Sequence, residues 1–194
     1  MNLHKTLITL TTCVITVFTE SASAHTLGAH SAGFLEGLAH PLMGMDHLLA
    51  MVAVGLWAAQ LGGRALWLTP LAFVTVLAGG AGLALFGLEL PLVETMIAAS
   101  VLVLGSMVAG SVRVSGWASM LAVSLFALFH GYSHGLEMPQ AAMPWAYATG
   151  FILATAMLHG LGISLGLILS RYQGLPRIGG TAIALSGAYL LAGM

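Results

Sequence analysis

From Leu42 to Ala192 the chain is a succession of apolar stretches, and almost no charge interrupts them. Each lies near the length of about 20 residues that carries an α-helix across a bilayer. In hydrocarbon every backbone N–H and C=O must be bonded within the protein, and continuous apolar runs of this length meet that demand as helices. Six are expected: Leu42–Leu61, Leu66–Phe86, Leu92–Gly110, Trp117–Phe129, Trp145–Ser170 and Ile178–Ala192. The fourth is the shortest and is expected to start a few residues earlier. Turn-forming stretches separate them: "GGR", "GLELP", "SVRVSG", "HGLEMPQAAMP" and "YQGLPR". The fold class is therefore all-α, a polytopic membrane protein with no segment left over for a sizeable soluble domain.

Composition agrees. Charged residues make up 6% of the 194, against about 25% in soluble domains. Five basic residues and a net charge of −1 cannot build an electropositive face, which excludes nucleic acid as a partner. The single cysteine, Cys13, supports neither a disulfide framework nor a thiolate metal site.

The first residues read as an export signal. Lys5 supplies the positive start, "TLITLTTCVITVF" the apolar region, and Ala22, Ser23 and Ala24 the small-residue cleavage site. The expected division is a signal peptide at 1–24 and one six-helix domain at 25–194, with His25 as the new first residue. The competing reading is an uncleaved first transmembrane helix.

The arginines set the orientation. Arg64, Arg113, Arg171 and Arg177 all fall in alternate connections, which the positive-inside rule places in the cytoplasm. The opposite connections hold Glu89 and Glu137 and no basic residue. Both mature termini are then expected in the periplasm of a bacterial inner-membrane protein, in agreement with the export signal. Small residues at Gly79–Gly82, Ser106 with Gly110, and Gly162 with Gly166 let helices approach closely. Packing inside the bundle is favoured over a dimer face, and a homo-oligomer stays open. The polar breaks of the first and fourth segments fall at opposite ends, so no three-plus-three inverted repeat is expected.

With that threading, side chains distant in sequence converge. "HPLMGMDH" puts His40, Asp46 and His47 at the outer end of the first segment. Glu94 opens the third, and "FHGYSHGLE" brings His130, His134 and Glu137 to the end of the fourth. The tail adds His25, with its amine, and His30. An ionisable group at membrane depth costs about 2.5–3.5 kcal/mol by insertion scales and marks an ion pathway. Imidazoles with carboxylates, and no thiolates, suit a borderline divalent transition metal; carboxylates alone would have suggested magnesium or calcium. His130 and His134 are spaced i, i+4 and His134 and Glu137 i, i+3, so on a helix they share a face. His40 and His47 lie about 10 Å apart along a regular helix. Either the chain breaks at Pro41–Gly44 or the two serve successive sites; the break is preferred. His159 stands about 20 Å deep by helical rise. It is either a deeper relay or a histidine bonded within the bundle. Met43, Met45 and Met51 are read as packing rather than Cu(I) ligands, and Glu36 as a solvated face residue.

These motifs, with "LHG" further on, resemble the HupE/UreJ family of bacterial nickel/cobalt permeases over essentially the whole chain. The resemblance implies uptake of Ni2+ or Co2+ for metalloenzymes such as hydrogenase or urease. It maps the family's first-helix motif onto His40, Asp46 and His47, its third-helix glutamate onto Glu94, and its fourth-helix motif onto His130, His134 and Glu137.

The expected function is permeation of the metal as cargo, with no resident cofactor. No GxxxxGK[ST] motif and no loop able to hold a nucleotide domain is present, so neither ATP hydrolysis nor an ATPase subunit is expected from this chain. A metal-sensing or metalloenzyme-assembly protein that does not transport is the alternative. An intramembrane metal-dependent hydrolase is disfavoured because no H-E-x-x-H occurs, and the chain is not expected to be an enzyme.

Overall fold

The computed structural model describes residues 29–194 other than 141 and 173, with side chains described from residue 33 onward. Among the described residues it has seven α-helices and no strand: α1 (Ala29–Met43), α2 (Met45–Leu61), α3 (Ala65–Leu85), α4 (Val93–Ala109), α5 (Gly116–Leu136), α6 (Pro144–Leu169) and α7 (Leu175–Ala192). The all-helical class is as expected. The extra helix is α1, which carries the "GFLEGLAH" entry and Pro41 ahead of the first apolar segment. The expected signal peptide, its cleavage site and His25 lie outside the described residues.

Local chemistry sets several helix starts. Ser115 caps α5 by accepting from Ala118 N at 3.3 Å, satisfying one of the unpaired first-turn donors. Pro144 opens α6, where its missing N–H costs nothing. Asp46 stands in the first turn of α2, where the helix dipole favours negative charge.

Close approaches fix the helix directions. Gly131 of α5 sits on the backbone of Leu77 in α3, and Gly135 on Ala81, so these two helices run parallel. An added Cβ at Gly131 would overlap the Leu77 carbonyl, which is why glycine stands there. Gly162 and Gly166 of α6 lie against Gly55 and Ala59 of α2, again parallel, and the small-residue pair is used inside the bundle. Helices α4 and α7 are antiparallel, with Gly105 against Ala184 and Gly180 against Ala109. Trp57 Nε1 donates to the Val112 carbonyl at 2.9 Å, joining the end of α2 to the end of α4. Leu90 N donates to the Tyr132 hydroxyl at 3.2 Å, joining the start of α4 to the end of α5. Helices α2, α4 and α6 thus run one way and α3, α5 and α7 the other. All four arginines of residues 33–194 fall at one end of the bundle, and the histidine motifs at the other.

The outside of the bundle is apolar. Leu71, Leu121, Met157, Ile168 and Leu185 are all exposed, and an apolar surface this continuous marks a membrane protein. Exposed hydroxyls obey the same solvent: those of Thr75, Thr149, Ser164, Thr181 and Ser186 each donate to the carbonyl four residues back, as hydrocarbon requires. Helices α3 and α6 are long and apolar enough by length and composition to cross a bilayer, and α1 with α2 passes as one bent pair. Helix α4 is apolar but shorter, at 17 residues.

Candidate metal centre

The site begins with a break. Between residues 33–43 and 45–61 the chain turns through 82°, with Gly44 as the joint at φ −95°, ψ 119°. Pro41 interrupts the hydrogen bonding of the last turn of α1 because its ring has no N–H to give. A Cβ at Gly44 would stand 2.7 Å from Asp46 Oδ1 and 3.0 Å from His47 Nδ1, so a larger residue there would push the Asp46–His47 pair out of this arrangement. The bend removes the separation that a straight helix would impose. The His40 and His47 rings both flank His134, at centroid distances of 4.9 and 4.6 Å.

Helix α5 supplies the other half. It runs on to Leu136, seven residues past the expected end at Phe129. The reason is burial: His130 and His134 are both 0% exposed and belong to the inner face of the helix, not to a polar loop. His130 Nδ1 lies 3.0 Å from the Phe126 carbonyl. A carbonyl only accepts, so Nδ1 carries the proton and Nε2 keeps its lone pair. The same logic applies to His47, whose Nδ1 donates to Asp46 Oδ1 at 2.8 Å, that oxygen also accepting from the His47 backbone N. An imidazole that gives its second N–H to a carboxylate or a backbone carbonyl is held as metal-ligating histidines are held.

Glu137 closes α5 at its C-cap. His40 Nε2 donates to Glu137 Oε2 at 2.6 Å, and the Ser133 hydroxyl to Oε1 at 3.0 Å. The bond from His40 holds the Glu137 carboxyl below its ordinary value, against the opposing effect of partial burial. His40, His134 and Glu137 each offer a donor atom, and the three atoms all lie within 4.8 Å of one another.

Within this trio and next to it, imidazole nitrogens lack partners. His47 Nε2, His130 Nε2 and both nitrogens of His134 are buried with no hydrogen-bond partner. Buried polar groups are nearly always paired, and an orphan calls for a specific cause such as an ion or water. The Phe151 ring stacks on His134 at 5.1 Å and Tyr147 lies 5.8 Å from His40. Phe73 stands between His130, at 5.7 Å, and His159, at 5.1 Å. His159 is buried, with both nitrogens and the neighbouring Thr155 hydroxyl unpartnered.

Of the residues singled out from sequence, His40, His47, His130, His134 and Glu137 are brought together, and Asp46 joins them through His47. Glu94 is not in the cluster: it is exposed in the first turn of α4 and makes no side-chain hydrogen bond among the described residues. His159 is one aromatic ring away. Sequence reasoning missed Ser133, Phe73, Tyr147 and Phe151, whose types carry no metal signal. Only helical spacing from His130 and Glu137 could have pointed to the first of them.

These features define an all-helical membrane protein with an imidazole–carboxylate centre at one end of its bundle and its arginines at the other. More specifically, the chain belongs to the HupE/UreJ family, whose model, described as HupE / UreJ protein, matches residues 13–190. It is 48% identical over 174 residues to Protein HupE of Rhizobium leguminosarum bv. viciae, a match covering 89% of this chain and 91% of that protein. No solved structure matches it.

Proposed function

We propose that this protein carries Ni2+ or Co2+ inward across the bacterial inner membrane, without ATP hydrolysis, as a permease and not an enzyme. The observation that carries this reading is the gathering of His40, His134 and Glu137 donor atoms within 4.8 Å, next to buried imidazole nitrogens that have no partner. Imidazole with one carboxylate suits the borderline divalent metals. In this account helices α2 to α7 are the six spans, residues 1–24 the signal peptide, and both mature termini periplasmic. The histidine end then faces the periplasm and the arginine end the cytoplasm.

Each step follows from the residues. The metal displaces the proton shared by His40 and Glu137, loses water to His134, and moves inward past His47 and His130. Asp46 acts through His47, keeping its Nε2 lone pair free and aimed inward. His159 receives the ion below Phe73. His25 would capture metal from the tail, and Glu94 would draw cations toward the mouth from the start of α4. A doubly charged ion moving inward gains about 4.6 kcal/mol per 100 mV of membrane potential, which is enough to concentrate it.

A sensor or assembly protein that binds without transporting would need ligands at one end alone; the buried, unpartnered His159 favours a path. Uptake of radiolabelled nickel and cobalt by cells, comparing wild type with His47→Ala and Glu94→Ala, tests the reading. Loss of uptake in both at normal membrane abundance supports it. Wild-type cells that take up no more metal than cells lacking the protein would overturn it.

A further inference from the structure

The outer trio contains a carboxylate, but the layer beneath it does not. His134, His47 and His130 form a chain of adjoining rings, at 4.6 Å between His134 and His47 and 5.0 Å between His47 and His130. Asp46, the acid nearest to them, is occupied by His47 Nδ1 and the His47 backbone N. The remaining nitrogens, His47 Nε2 and His130 Nε2, are buried and unpartnered, with their tautomers set by Asp46 and the Phe126 carbonyl at Nδ1. His134 alone is in ring contact with both layers, at 4.9 Å from His40 and 4.6 Å from His47. Both of its nitrogens lack a partner.

We infer that the ion passes through two stations in series. The outer one is His40, His134 and Glu137, whose donor atoms lie within 4.8 Å of one another; the inner one is the chain of adjoining rings His134, His47 and His130, less closely gathered than the outer trio, which offers nitrogen alone and rejects oxygen-preferring cations. His134 is the ligand common to both, so one ion occupies the pair at a time and is handed over without ever leaving protein donors. The inference rests on the metal-permease reading and deepens it by assigning selectivity to a place. Carboxylate, carbonyl and water suit Mg2+, Ca2+ and Mn2+, whereas imidazole suits the later transition metals, and affinity at such sites rises from Mn2+ to Ni2+. Manganese therefore competes at the outer station and fails at the inner one. Phe73 lies below His130 and offers no donor, so an ion that imidazole does not hold gains nothing by descending.

The experiment measures Ni2+ retained by the purified full-length protein in nanodiscs, with and without a 100-fold excess of Mn2+. Wild type, Glu137→Gln and His130→Gln are compared, each checked for its thermal unfolding transition. Wild type is expected to hold one Ni2+ per chain. In Glu137→Gln, which keeps the inner station, Mn2+ should lower retention less than about 2-fold; in His130→Gln, which keeps the outer one, by roughly 5-fold or more. The double variant should hold none. Should His130→Gln unfold, His47→Gln replaces it with the same expectation. Equal Mn2+ sensitivity in the two single variants, two Ni2+ bound to wild type, or loss of all binding on Glu137→Gln alone would overturn the serial arrangement while leaving metal uptake standing. Wild type that binds no Ni2+ would remove the permease reading, and this inference with it.

Discussion

Asp46→Asn tests how the inner imidazoles are held. The native carboxylate oxygen Oδ1 accepts from two donors of His47, Nδ1 and the backbone N, each at 2.8 Å. An asparagine oxygen can accept from the same two donors, so the ring stays in place and the Gly44 joint need not move. What changes is charge: a neutral amide leaves the imidazole less basic, and Nε2 becomes a poorer donor to metal. Loss of such an orienting partner lowers metal affinity or activity by about 10–100-fold, equivalent to roughly 1.4–2.8 kcal/mol. The assay is nickel uptake at sub-saturating metal, normalised to protein in the membrane fraction. Saturating metal should recover much of the rate, because the ligands themselves remain. Uptake within 2-fold of wild type at low metal would refute the reasoning, and so would a loss that saturation does not relieve.

Other expectations follow from the same geometry. His159→Leu should leave equilibrium metal binding unchanged and slow uptake; unchanged uptake would make His159 a packing residue. Gly131→Ala drives a methyl into the Leu77 backbone and should cost at least about 1–3 kcal/mol by overpacking, read as a lowered unfolding temperature in detergent. Gly79→Ala, which meets nothing within 4 Å, should be neutral or slightly stabilising through helix propensity. Because Glu137 is held below its ordinary value of 4.5, its contribution to stability is present above that pH and is lost as pH falls through the depressed value. Glu137→Gln should abolish that segment of the acid-unfolding curve, with a small amplitude because the side chain is 44% exposed.

Much of the site was legible because few forces act on so apolar a chain. Apolar run length gave the helices, and alternation of the arginines gave the two ends. The i, i+4 and i, i+3 spacing gave the shared face of His130, His134 and Glu137, and Pro41 with Gly44 gave the break. The remainder depended on three-dimensional packing. Helix α5 outlasts its apolar run because a histidine can be as buried as a leucine when it faces inward, and hydropathy cannot see direction. Helix α1 escaped notice as a separate element because a bend of 82° leaves no composition signal beyond one proline and one glycine. Asp46 read as a ligand from its place in the motif; its Oδ1 accepts from His47 Nδ1 and the His47 backbone N, a pairing that motif spacing alone does not reveal. Glu94 shares an end with the cluster by topology but not its contacts, a distinction that rests on helix rotation.

The most direct test of the account is Ni2+ entry into proteoliposomes containing a trapped metal-sensitive dye, with an inside-negative potential imposed. Wild type should admit Ni2+ faster as the potential rises, and His134→Gln, which removes the ligand common to both stations, should fall to the rate of empty vesicles. Equal entry by the two proteins would contradict a route through these imidazoles.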